Sequence, residues 1–126
     1  MAQFTEPKDG EPIDAGALER QLFEAEKAAS DHEDKRAMRI LGQVHEALVS
    51  YRWTAERLDE TAQGIMHDME DLRRYIAQYG RPSNSLGALQ ARGPELDRLC
   101  GEYACRREAL TRMVRIANAA LADGKD

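Results

Sequence analysis

Aromatic residues are scarce in this chain: two Phe, four Tyr and one Trp make 6% of 126 residues. Strands are built on aromatic and β-branched side chains, so the shortage points away from a sandwich or barrel. A composition of 42% hydrophobic and 33% charged residues suits helical bundles and coiled coils instead. No apolar run approaches the roughly 20 residues of a membrane span. A basic excess is missing as well. The formal net charge is −5, and binding to a phosphate backbone rests on Lys and Arg, so nucleic acid is a poor match as a partner. The N-terminal MAQFTEPKDGEP has neither the basic nor the apolar region of a secretory signal.

Cysteine is nearly absent. Cys100 and Cys105 are the only two. Five residues apart on a helix, they point about 140° away from each other and cannot pair within it. They also lack the C-x-x-C spacing of zinc ribbons and redox helices. Two free thiols in a reducing, cytoplasmic compartment are expected. Cys100 is expected at the buried edge of a helical stripe, and Cys105 in the open beside Arg106 and Arg107.

Proline is confined to positions 7, 12, 82 and 94, so none falls between residues 12 and 82. That leaves room for long helices. Residues 1–13, with Pro7, Gly10 and Pro12, read as a mobile arm. Asp14 is a candidate N-cap for a helix over 15–29, whose apolar face is Leu18, Leu22, Ala25 and Ala29. The polar stretch Ser30 to Arg36 then shifts the apolar phase and predicts a tight turn, with Ser30 and Glu33 at capping-box spacing.

From Ala37 the apolar positions alternate steps of four and three for about six heptads. Leu41, Leu48, Ala55, Ala62, Met69 and Ile76 are the a positions. Ala37, Val44, Tyr51, Leu58, Ile65, Leu72 and Tyr79 are the d positions. Gly42 and Gly64 fall off this seam, on the outer face. One helix over 31–79, roughly 70 Å long, is expected, with a break near Gly64 as the competing reading. Gly80 supplies a left-handed cap and Pro82 forbids continuation. Residues 80–93 then read as a loop holding one short helical turn. Pro94 opens a last helix over 94–122, followed by a tail at 123–126.

The fold class expected is all-α: an elongated antiparallel helical hairpin or coiled coil with one long central helix, residues 14–122 forming a single domain. Matching rise per residue places Leu96 near Ile76 and Leu121 near Tyr51, with the first helix covering residues 34–48. Every cross-section then holds about two helices, a thin core. Pairing of two copies into a four-helix section is the economical remedy, so a homodimer is expected. The self-association or partner residues are Leu48, Tyr51, Trp53, Ala55, Leu58, Ala62, Ile65 and Arg106. Small Ala55 and Ala62 permit close helix approach. Trp53 lies opposite the seam, an unusual outward place for a residue enriched at binding hot spots. Arg106 falls on the last helix's apolar stripe and calls for a carboxylate, Asp59 or Asp68, or one from a second chain.

Other constellations are weaker. His67, Asp68, Glu70 and Asp71 cluster in sequence, but no histidine has a Glu three positions before it, as the di-iron bundles require. Asp31, His32, Glu33 and Asp34 suit the start of a helix. The bases Arg92, Arg98, Arg107, Arg112 and Arg115 are interleaved with acids and have no aromatic platform. No catalytic residue, cofactor site or metal site is expected. The functional expectation is a non-enzymatic protein–protein interaction module acting through helix packing on a protein partner still to be identified. The alternatives are a small acidic chaperone or inhibitor occupying a partner's groove, and a metal-dependent helical enzyme using His67.

Overall fold

The computed structural model describes residues 4–8 and 10–123. The chain is all-helical: α1 (Ala15–Asp31), α2 (Lys35–Tyr79) and α3 (Ser85–Asp123), with no strand among the described residues. No helix is long and apolar enough to cross a membrane.

Each boundary has a local cause. The Asp14 side chain accepts a hydrogen bond from the Ala17 N–H at 3.0 Å, as an N-cap does. At the other end of α1, Glu33 N–H donates to Ser30 O and Asp34 N–H to Ala29 O, with Glu33 itself left-handed at φ 50°. This is a Schellman closure carried by a residue with a Cβ, where glycine is usual. Asp34 then caps α2, its Oδ1 accepting from the Ala37 N–H at 3.0 Å. The expected capping box of Ser30 and Glu33 is therefore replaced: Glu33 sits in the turn. α2 runs unbroken past Gly64 and ends where expected, at Gly80, whose φ is +69° and whose N–H donates to Ile76 O at 2.8 Å.

The last helix departs from expectation. It begins at Ser85, not at Pro94, and Pro94 lies inside it. Ser83 and Asn84 cap a full helix rather than an isolated turn, their carbonyls accepting from Leu86 and Gly87. Gly93 explains how the helix passes the proline. A residue before proline is driven out of the helical region partly by its own Cβ, and Gly93 has none. The cost is one missing N–H at Pro94. The longer helix also moves the register. Arg36 donates to Ala120 O at 3.1 Å, so the end of α3 lies beside the start of α2 instead of near Tyr51.

The chain divides into two compact units. The first comprises residues up to Arg52 together with Cys105 onward. Here the buried residues of α1 (Leu18, Leu22, Ala25, Ala29), of α2 (Ala37, Leu41, Val44, Leu48, Tyr51) and of α3 (Leu110, Val114, Ala117, Leu121) form a three-helix core. Each fully buried Leu contributes about 1.5–3 kcal/mol relative to exposure. Arg52 and Glu19 pair at its surface. The described part of the N-terminal arm belongs to this unit and is fastened: Phe4 is buried, and Asn118, Gln21 and Arg107 bond to residues between 4 and 11. A mobile arm was expected, and these bonds correct that for the described residues.

The second unit, Trp53–Ala104, holds two helical segments only. Leu99 is its one buried apolar residue among those described, accompanied by buried Thr54 and Thr61. Leu58, Ile65, Leu72 and Leu96 are half-buried.

Candidate self-association face

In the second unit α2 turns one side to α3 and leaves another uncovered. The covered side carries Thr54, Leu58, Thr61, Ile65, Asp68 and Leu72, spaced four and three. These are g and d positions of the heptads. The a positions give way progressively: Ala55 and Ala62 are half-buried, then Met69 is 57% exposed and Ile76 44% exposed. Met66, at 70% exposure, extends this uncovered side, and Tyr79 stands 55% exposed at the helix end. Met66, Met69, Glu70 and Arg73 line a shallow depression of about 320 Å³.

The eight expected contact residues fall into three groups. Leu48 and Tyr51 are buried in the first unit's own core, so they stabilise the protomer and are not free for a second chain. Ala55, Leu58, Ala62 and Ile65 are half-buried in the second unit. Trp53 is 58% exposed, with the Arg57 guanidinium 5.8 Å from its ring centroid, within cation–π reach. Arg106, expected on a buried stripe, is exposed. α3 begins nine residues earlier than expected, yet the stripe read from Pro94 onward follows the face it buries: Leu99, Leu110 and Ala117 are buried, Leu96, Tyr103, Met113 and Ala120 half-buried, and Arg106 is the exposed member.

The carboxylate expected to meet Arg106 is used by another arginine. Arg92 Nε donates to Asp68 Oδ2 at 3.0 Å, and the guanidinium lies against Gly64. Gly64 is thus no outer-face residue: a methyl there would overlap the Arg92 side chain. Arg57 reaches Glu95 at 3.6 Å, a second link between the two helices. Ser85 Oγ donates to Asp71 Oδ2 at 2.6 Å and ties the start of α3 to α2.

The glycine and the ion pair make a testable couple. Arg92→Ala is expected to lower stability by about 1–2 kcal/mol, between an exposed pair and a buried one, because Asp68 is the better shielded partner. Gly64→Ala adds helix propensity of about 1 kcal/mol but displaces the guanidinium, so its net effect in the parent chain is near zero. In the Arg92→Ala background the same change is expected to stabilise by about 1 kcal/mol. Urea midpoints of the four proteins measure this; strict additivity removes the coupling.

His67 Nδ1 lies 3.7 Å from Asp68 alone, and no three His, Cys, Asp or Glu side chains among the described residues are grouped to hold an ion. Cys100, expected to be buried, is exposed, as is Cys105; both are free thiols. Comparison with protein-family models, with curated proteins and with solved structures finds no match to this chain.

Sequence reasoning missed Met66 because a strict heptad was followed. A straight α-helix drifts about 20° per heptad from that repeat. At 3.6 residues per turn, Met66 lies 18 residues and about five full turns beyond Leu48, on the same side, whereas Met69 stands about 60° away from it. The helical period, followed over five turns, would have found it.

Proposed function

We propose that this chain is a non-enzymatic protein–protein interaction module that works by helix-on-helix packing, and that the second unit pairs with a second copy of itself. One observation carries the reading: a unit of two helical segments has one buried apolar residue, Leu99, while Met66, Met69 and Ile76 stay uncovered along α2. Two such segments cover one side of each other, and a helix with an apolar stripe wider than about 100° needs another neighbour. A second copy turns the two-helix section into a four-helix one.

The uncovered side is suited to itself. Antiparallel pairing on a two-fold axis at Met69 sets Ile76 of one copy against Ala62 of the other, large on small, with Met69 against Met69. Methionine adapts well to such a self-contact. Glu70 and Arg73 border the depression in each copy, so both signs of charge are available across the axis. Two exposed free thiols fit a reducing, cytoplasmic setting. The exposed Trp53, set under Arg57, offers a further protein partner an aromatic anchor.

Analytical ultracentrifugation combined with hydrogen exchange tests the pairing. The sedimenting mass is expected to rise from 14.2 kDa towards twice that value with concentration. Amide protection in 54–79 and 85–104 rises with it, while the first unit stays protected throughout. A monomer at about 100 μM, some hundred-fold above a micromolar Kd, with concentration-independent protection would overturn the reading.

A further inference from the structure

The described part of the arm is held by six side-chain bonds, and five of them go to its backbone. Asn118 Oδ1 accepts from the Phe4 N–H at 2.7 Å and Asn118 Nδ2 donates to Phe4 O at 2.9 Å. Gln21 repeats the grip one residue on, accepting from the Thr5 N–H at 3.0 Å and donating to Thr5 Oγ at 2.8 Å. Arg107 donates to the carbonyls of Lys8 and Glu11. The paired donor and acceptor of the Asn118 amide match the C=O and N–H of one residue of an extended chain, as in strand addition to a sheet edge, while Gln21 takes the next N–H and the Thr5 hydroxyl. Backbone contacts read no side chain. What is read is the Phe4 ring, 4% exposed, and the hydroxyl that follows it.

The segment is fastened at its ends and not packed between them. A cavity of about 270 Å³ lies between it and the first turns of α1 at Ala17 and Leu18. Gly10, at φ +77° and with open space around the position of a Cβ, sets the left-handed turn that leads the arm into α1.

From this geometry we infer that the seat formed by Asn118, Gln21 and Arg107 is a peptide-binding site, filled in cis by the chain's own arm. In trans it accepts an extended segment with an aromatic residue followed by a hydroxyl residue. The arm then acts as a tethered competitor. Its effective concentration is of millimolar order, so the intact chain admits only a segment that outcompetes it. This site lies wholly in the first unit and stands or falls independently of the α2 face.

The probe is the acetylated peptide QFTEPKDGEPI, fluorescently labelled at its C-terminus, added to full-length protein and followed by anisotropy. The Phe4→Ala protein, whose own anchor is removed, is expected to bind it at least tenfold more tightly than the parent chain. Adding Asn118→Ala to that protein abolishes binding. A peptide with Phe replaced by Ala does not bind, and one with Thr replaced by Ala binds more weakly. Circular dichroism checks that each protein stays helical. If Phe4→Ala does not, Phe4→Leu keeps an apolar plug and is expected to bind at an intermediate level. No binding to a helical Phe4→Ala or Phe4→Leu protein, equal binding to the parent chain, or binding indifferent to Asn118→Ala overturns the inference.

Discussion

Leu110→Ala is expected to remove about 2–5 kcal/mol of stability, a large share of the 5–15 kcal/mol typical of a whole domain. Leu110 is fully buried on α3, in the unit where α1, α2 and α3 all contribute core residues. Neighbours on three helices cannot all close on the space left by a shortened side chain, so the cavity persists and its cost adds to the lost transfer energy. Leu99→Ala deletes the same atoms from a side chain equally buried, but in the two-segment unit. There the loss is expected to be local. Exchange across 53–104 accelerates roughly thirty-fold or more, as a loss of 2 kcal/mol or above implies, while exchange in the first unit is unchanged. Urea unfolding with segment-resolved hydrogen exchange separates the two variants. If Leu99→Ala slackens both units equally, they are one cooperative body and the contrast is lost.

That contrast also marks what was legible in the sequence. Leu18, Leu22, Ala25 and Ala29, and the seam from Ala37 to Tyr51, were readable because every apolar residue at those spacings found a neighbour. Where apolar spacing and burial agree, pattern alone places the core. Beyond Tyr51 they diverge. Thr54 and Thr61 are buried and Met69 and Ile76 exposed, because the position of α3, not side-chain polarity, decides which side of α2 is covered. Its position depends on where it starts, and Gly93-Pro94 hides the start at Ser85. The same dipeptide that ends most helices is tolerated here because glycine lacks the clashing Cβ.

The partners of Arg92 and of the arm were beyond local signals for a different reason. Arg92 and Asp68 are 24 residues apart, and Phe4 and Asn118 are 114 apart. No periodicity connects such positions. Arg106 draws attention because it falls on an apolar stripe, whereas the ion pair forms at Arg92, beside Gly64, whose missing side chain makes room for a guanidinium. In both cases a small or polar residue, silent in a hydrophobic pattern, fixes the contact.

Met69→Glu is expected to have the largest effect on assembly. On the proposed two-fold axis each substitution appears twice, so two carboxylates would face each other in place of two thioethers. Unpaired charges buried together cost several kcal/mol, and the like-charge repulsion between them adds to that cost. Every 1.4 kcal/mol is tenfold in Kd, so dimerisation is expected to weaken by at least about a thousand-fold. The protomer itself loses little, since Met69 is more than half exposed within it. Helix content and the urea midpoint of the first unit therefore stay at parent values, and 54–79 exchanges fast at all concentrations. The charge-reversed partner is the decisive control. Met69→Lys alone is also expected to be monomeric, whereas an equimolar mixture of the Glu and Lys proteins regains a dimer, because only the mixed pair places unlike charges on the axis. If the mixture stays monomeric while each single variant is helical, Met69 is not at a two-fold contact. If Met69→Glu dimerises as the parent chain does, the uncovered side of α2 is not where the copies meet.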